Sequence, residues 1–272
     1  SLGQELHWLS IPLFLTSHAW ENGKNEQSHQ DPVMAEAMMA EASDISRVLF
    51  PPDYNATALM MQRLYQTHGQ IWSVVVTKRD KIPNLFTPED AEQLYEQGAM
   101  RLDWAGHRIA EQQLVLTAIG SYQLVEVLKA SVRLSERDIP HSVVYMMEPG
   151  RFRLPRDAGE MEHAASGQLI EELYPKSVPA RLFLTHTRPE PMMGTLKPLL
   201  PDCNRVAMLG FINQGGTLDH EGLLYINRAT WAHALLETSR ILGISRDTLL
   251  SSEEQEALAG QRNPQGVVIG CP

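Results

Sequence analysis

The densest run of groups able to do chemistry lies near the start of the chain: His18-Ala19-Trp20-Glu21-Asn22-Gly23-Lys24-Asn25-Glu26-Gln27-Ser28-His29-Gln30-Asp31-Pro32. It follows the apolar stretch Leu9–Leu15 and leads into a helix start at Asp31–Pro32. In a parallel sheet such a segment falls in the crevice at the carboxyl ends of the strands, where ligands bind. Asp31 also has a plain reading as a helix cap, with Pro32 at the first helical position. His29 and Asn25 could equally serve hydrogen bonds within a loop. A second cluster, Lys78-Arg79-Asp80-Lys81, directly follows the apolar run Ile71–Val76. At a strand end, lysine offers a phosphate a point charge and arginine a two-pronged fork. The alternative for this cluster is a solvated loop.

Three weaker signals stand apart from these. Gly120-Ser121 opens a helix, whose N-terminus could hold an anion. His186 closes another strand with the same geometry. Asp219-His220-Glu221 has metal-ligand residue types, but neighbours in one turn seldom converge on one ion, so no metal site is predicted. The sequence has no Gly-x-Ser-x-Gly elbow, Walker loop or G-x-G-x-x-G motif.

The elements that must position these groups alternate between short β-branched runs and longer helical periodicity. Leu9–Leu15 reads as a buried strand, and Arg47–Phe50 as a strand stopped by Pro51–Pro52. Asp53 caps a helix running to about Gly69, with Ala56, Leu59, Met60 and Leu64 on one face. Ile71–Val76 is a continuous apolar strand of the kind covered on both sides. Thr87-Pro88-Glu89-Asp90 starts a helix that runs to Gln97–Gly98. Beyond a mixed, polar stretch come strand Leu114–Ala118, a helix from Gly120–Ser121 to about Arg137, and strand Val143–Met147. One helix over 158–173 then precedes strands Arg181–Thr185 and Arg205–Leu209. A last main helix spans Arg228–Leu242, and the tail from Ser251 reads as a solvated helix. Regular β–α alternation predicts parallel sheets with helices on both faces.

Composition excludes several classes. Lys plus Arg total 23 against 33 Asp plus Glu, a net charge of −10 over 272 residues. With no basic block, the chain is a poor partner for nucleic acid. The two cysteines, Cys203 and Cys271, cannot form a disulfide framework or a four-ligand zinc site. No apolar run approaches the roughly 18 residues needed to span a bilayer, and no signal peptide is present, so a cytoplasmic location is expected. The chain opens at Ser1, almost inside its first strand, which is expected of a piece cut from a longer polypeptide; removal of an initiator Met is the plain alternative.

Trp20 followed by Asn25-Glu26-Gln27-Ser28-His29-Gln30-Asp31-Pro32 resembles the Trp…His-Asn-Gly-Phe-Ser-His-Gln-Asp-Pro segment of phosphoketolases. Those are thiamine-diphosphate enzymes that split xylulose 5-phosphate or fructose 6-phosphate with inorganic phosphate. Phe50-Pro51-Pro52-Asp53-Tyr54-Asn55, Val74–Lys81, Asp103-Trp104-Ala105 and the Gly210–Trp231 region are similar to further family segments. Ser28-His29-Gln30 also resembles the Thr-His-Gln of transketolases. The resemblance covers nearly the whole chain and is tightest over residues 20–55.

What the resemblance implies is specific. The fold is α/β, with two three-layer α/β/α domains and mostly parallel sheets. Residues 1–100 would be a truncated transketolase-like pyrimidine-binding domain, 101–112 a linker and 113–272 a transketolase C-terminal-like domain. His29 and Asn25 would face the substrate as catalytic residues. A neutral histidine can take a hydroxyl proton or stabilise a developing alkoxide, while the thiazolium ring absorbs the carbanion. Lys81, Lys78 and Arg79 would hold the sugar phosphate, joined by Lys24 and by His18, which sits near a phosphate-binding histidine of transketolases. Thiamine diphosphate and Mg²⁺ would be the cofactors, sugar phosphate and inorganic phosphate the reactants, and a homodimer the assembly. The family's cofactor-binding motifs lie upstream of the matched region, so this chain alone is expected to be inactive. Lys24, Glu26 and Asn22 depart from the family pattern. They keep open a non-catalytic or regulatory paralogue, or another transketolase-like ketol transfer.

Overall fold

The computed structural model describes residues 8–16, 18–21, 31–78, 83–107 and 111–270, without the side chains of His18 and Cys203. Apolar runs become strands, and the amphipathic stretches between them become helices. In chain order these are β1 (Ile11–Thr16), α1 (His18–Glu21), α2 (Val33–Ala40), β2 (Ser46–Leu49), α3 (Tyr54–Leu64), β3 (Ile71–Val76), α4 (Pro88–Gln97) and β4 (Ala99–Arg101). There follow β5 (Leu114–Ile119), α5 (Ser121–Glu136), β6 (His141–Met146), α6 (Ala158–His163), α7 (Gly167–Leu173), β7 (Ala180–Thr185), α8 (Pro189–Thr195) and β8 (Val206–Leu209). The chain closes with α9 (His220–Ile226), α10 (Trp231–Leu242), α11 (Arg246–Leu249) and α12 (Ser252–Leu258). The protein is α/β, with the strands in two sheets, ordered β1-β3-β2 and β4-β6-β5-β7-β8. All pairs are parallel except β4 with β6.

Period-2 alternation sorts the second sheet's side chains to two faces. On central β5, Leu114, Leu116 and Ala118 enter one core with α5 and α10. Val115 and Ile119 enter another, which also holds Met192 and Leu196 after β7. That second core reaches into the first sheet through Val48, Phe50 and Val75. The two sheets therefore share apolar packing.

Local chemistry accounts for the element ends. Asp53 Oδ1 accepts from Ala56 N–H at 3.0 Å and starts α3. Thr87 and Asp90 form a reciprocal capping box at α4, and Gly98 ends that helix in the left-handed region at φ 79°.

Several expectations are corrected. β1 is an edge strand, with Ile11 and Phe14 about half exposed at 48% and 47%. Ile11 N–H donates inward to Gln70 at 2.8 Å. The alternation then turns the donor-free nitrogen of Pro12 toward the open edge, which blunts it against added strands. The single helix expected over 158–173 is two, because Ala164 is extended and Ser166 caps a new start. α3 stops at Leu64 rather than near Gly69, and α10 begins after Thr230. β4 ends at Arg101, on the edge of the second sheet.

The sheets are joined by a buried ion pair. Arg47 of β2 forks onto Glu148, just past β6, at 2.8 and 2.7 Å. The two side chains are 5% and 1% exposed. His163 Nε2 lies 2.9 Å from the same carboxylate, and the guanidinium sits 4.2 Å over the Trp72 ring. Burial by itself would raise the Glu148 carboxyl. Arg47 and His163 outweigh it and hold the group well below the usual carboxylate range. The backbone is stitched at the same place, with Phe50 N–H donating to Met147 at 2.8 Å and Tyr145 O–H to Phe50 at 2.6 Å.

Glu148→Ala leaves the Arg47 charge buried and unpaired, and is expected to cost about 3–5 kcal/mol in urea unfolding. The double change Arg47→Met, Glu148→Leu is expected to recover most of that loss. A second prediction concerns pH. Burial pushes His141 and His233 down from 6.5 to about 4. Below pH 6.5 the unfolded chain takes up these protons, while the native state does not until about pH 4. Stability therefore falls as pH drops through that window. Replacing His233 with Gln is expected to remove on the order of one proton from the pH dependence of the unfolding midpoint.

Candidate functional site at the strand ends

The polar segments leave the first sheet at one edge, the carboxyl ends of β1 and β3. Most of the residues expected to do chemistry there, namely Lys24, Asn25, His29, Arg79 and Lys81, lie outside the described residues. The backbone of His18 opens α1, and Lys78 stands exposed just after β3. The described residues define how the two ends of the 22–30 segment are held.

The leading end is fixed by Glu21, which is only 7% exposed. Its carboxylate accepts the Lys78 backbone N–H at 2.9 and 3.1 Å. It also accepts the Tyr122 hydroxyl, from the first turn of α5, at 2.6 Å. One side chain thus ties α1, the turn after β3 and the second sheet's main helix together. Trp20 beside it is fully buried. Its indole N–H donates to the His186 carbonyl at 3.0 Å, and its ring meets Phe211 edge-on at 5.8 Å.

The trailing end is fixed by Arg188, the residue before α8. Its guanidinium reaches Asp31 at 2.6 Å and Glu36 at 2.7 Å. Its own N–H donates to Glu36 at 2.9 Å. The hydrogen bond to Asp31, then those to Glu36, push the guanidinium pKa up, so it is a fixed cation. Asp31 also accepts Val33 N–H at 2.9 Å. Pro32 takes the cap position rather than the first helical one.

The weaker signals resolve into structure. A Cβ on Gly120 would lie 2.3 Å from Gln123 Oε1 and 3.1 Å from His186 Cβ. The space expected for an anion at the α5 N-terminus is therefore filled. The His186 ring packs against Phe50 at 5.5 Å. Asp219 caps α9 through Gly222 N–H at 2.8 Å, and His220 lies on the Tyr122 ring at 5.4 Å. Among the described residues no three His, Cys, Asp or Glu side chains converge on a metal position. Sequence reasoning missed the anchoring roles of Glu21, Tyr122 and Arg188. Glu21 had a signal, as a carboxylate between a buried tryptophan and a polar loop. Arg188 had none, since its partners lie more than 150 residues away.

Comparison with known proteins agrees with this architecture. A family model described as D-xylulose 5-phosphate/D-fructose 6-phosphate phosphoketolase matches residues 1–67. A probable phosphoketolase of Brucella abortus is 26% identical over 241 residues, covering 87% of this chain and 30% of its own length. Probable phosphoketolase 1 of Rhizobium meliloti is 27% identical over 181 residues, covering 66% of this chain and 23% of its own. The chain thus spans about 30% or less of the length of these curated relatives. In fold it is similar to transketolase from Leishmania mexicana, with TM-score 0.65, 15% identity, and coverage of 84% of this chain and 29% of that one. A structure titled "Split gene transketolase, inactive beta4 tetramer" superposes with TM-score 0.59 and 16% identity, over 86% of this chain and 67% of that one.

Glu21→Ala strands the Lys78 N–H and the Tyr122 hydroxyl, at an expected cost of about 1–3 kcal/mol. Amide hydrogen exchange is the sharper measurement. Exchange at Lys78 is expected to speed up in the variant, while the β5 amides keep their protection.

Proposed function

We propose that this chain, a relative of the phosphoketolases with the transketolase-like α/β fold, supplies the substrate-facing wall of a thiamine-diphosphate-dependent enzyme that cleaves xylulose 5-phosphate or fructose 6-phosphate. The products in this reading are acetyl phosphate and an aldose phosphate. The observation that carries it is the match of residues 1–67 to the phosphoketolase model, in a chain whose 22–30 segment has both ends anchored at the carboxyl edge of a parallel sheet. His29 is the proton acceptor for a substrate hydroxyl, and Asn25 hydrogen-bonds the same substrate. Lys81, Lys78, Arg79, Lys24 and His18 supply positive charge to the phosphate.

Phosphoketolases and transketolases use thiamine diphosphate with a divalent metal. The described residues gather no carboxylate or histidine cluster that fits such a metal. The proposal therefore places the cofactor-holding groups in the part of the relatives this chain does not span. The domain reading follows: residues 1–100 as a partial pyrimidine-binding domain, 101–112 as linker and 113–272 as the C-terminal domain, in a cytoplasmic homodimer.

A second reading has one observation in its favour. The structure titled as a split-gene transketolase matches this chain over 67% of its own length. That is far more than the share matched in the other transketolases. A separate companion polypeptide could thus supply the remaining domain. Lys24 and Glu26 favour a third reading, a regulatory or differently specific paralogue.

The test is acetyl phosphate formation from xylulose 5-phosphate, inorganic phosphate, thiamine diphosphate and Mg²⁺. Activity is expected from the longer parent or from this chain with its companion, and none from the 272 residues alone. His29→Ala in the active form is expected to abolish turnover with the fold intact, and unchanged turnover refutes its assigned role. Substrate consumption that needs an added aldose acceptor and yields no acetyl phosphate selects ketol transfer instead. Failure to bind the cofactor selects the regulatory reading.

A further inference from the structure

The two grips on the 22–30 segment meet at one side chain, Phe211. Its ring is buried and follows β8 closely. Trp20, at the leading end, stands nearly perpendicular to it, with ring centroids 5.8 Å apart. Arg188, which holds Asp31 at the trailing end, sets its guanidinium 5.7 Å from the centre of the same ring. Both contacts are attractive. Aromatic pairs favour edge-to-face packing, and a cation is drawn to a ring face within about 6 Å. The backbone around the ring is fixed from two sides. Phe211 N–H donates to the Thr187 carbonyl at 3.1 Å. Ile212 N–H and Gln214 N–H donate to Oδ1 of buried Asn227 at 3.0 and 3.1 Å. Gly210 lies flush against the end of β7, where a Cβ would fall 2.3 Å from the Thr187 carbonyl oxygen and 2.7 Å from Thr185 Cγ2. The ring is thus mounted on residues 186–188, the turn that supplies the carbonyl for Trp20 and the guanidinium for Asp31.

This mounting links the two grips energetically. An Arg188 that let go of Asp31 and Glu36 would also leave its place over the ring. Phe211 would then gain room against Trp20. Close-packed side chains have little slack, so a small shift at one contact forfeits attraction at the next. Glu21 and Tyr122 cannot play this part, because both act at the leading end alone.

We propose that Phe211 is a positioning residue of the candidate site: it couples the Trp20 and Arg188 grips, so that loosening either end of the segment carrying Asn25 and His29 loosens the other. The bearing on turnover rests on the functional reading above, and the coupling itself does not. The coupling is tested on the 272-residue chain by exchange of indole N–H protons with water, read by NMR. The Trp20 signal is identified by its loss in Trp20→Phe. Trp231, whose indole N–H donates to the Val268 carbonyl at 3.1 Å, is the fold control. Arg188→Met is expected to speed Trp20 exchange by about tenfold or more through local opening, with Trp231 unchanged. Phe211→Leu is expected to do the same, and the double change Arg188→Met, Phe211→Leu to add little to either alone. Trp20 exchange indifferent to Arg188→Met overturns the proposal, as do additive effects in the double variant. Should Arg188→Met speed Trp231 exchange as well, Glu36→Gln replaces it, since that change weakens one arm of the Arg188 grip. Unchanged Trp20 exchange in Glu36→Gln overturns the proposal. In the active form of the enzyme, Phe211→Leu is expected to lower kcat by about tenfold or more with a smaller change in KM, because misplaced groups act chiefly on the transition state. Unchanged kcat beside altered exchange refutes the positioning role. No acetyl phosphate from the unchanged parent refutes the functional reading alone, since the exchange test does not depend on it.

Discussion

Two charges taken fully out of water hold the two sheets in register. Arg47 and Glu148 meet in a two-pronged contact at 2.8 and 2.7 Å. His163 takes up further carboxylate capacity, and Trp72 covers the guanidinium face. Desolvating both ions costs several kcal/mol each, so the pair adds little net stability over an apolar pair of the same shape. What it adds is selectivity. The two-pronged contact is directional and favours one placement of β2 against the end of β6, whereas the apolar packing of Val48, Phe50 and Val75 is non-directional. The hydrogen bonds from Tyr145 to Phe50 and from Ser121 to Pro51 lie at the same seam. They position the N-terminus of α5 against the first sheet.

That placement decides the geometry of the candidate site. With α5 set against the end of β2, Tyr122 reaches Glu21. With β7 beside β5, Arg188 comes within reach of Asp31 and Glu36. The polar segment therefore leaves one sheet and is gripped at both ends by the other. The electrostatics are local: among the described residues, Glu21, Asp31 and Glu36 each have an N–H, O–H or guanidinium partner. A chain of net charge −10 can thus present an exposed basic residue such as Lys78 at this edge.

Contacts close in sequence were legible, and contacts across the chain were not. The Asp53 cap, the Thr87–Asp90 box and the apolar runs of β3 and β5 each depend on residues within a few positions. Local propensity and period therefore suffice to find them. β1 was misjudged because an apolar run reports affinity for a core and not a place in the sheet order. Pro12 was the available sign of an edge. The break at Ala164 was hidden because its flanks share one helical period. The 20–32 segment reads as a candidate site from its residue types. Its anchors were not legible, since Arg188 is an unremarkable basic residue until the fold brings it to Asp31.

The first sheet also explains why the seam must be strong. Three parallel strands with one half-exposed edge bury little on their own. Ala35 and Met39 of α2 and Val48 of β2 find their apolar partners in a core they share with Val115, Val144 and Met146 of the second sheet. The smaller sheet thus takes its stability from the larger one through a common core, and its orientation from the Arg47–Glu148 pair. An edge built this way stays in place only while the seam is closed.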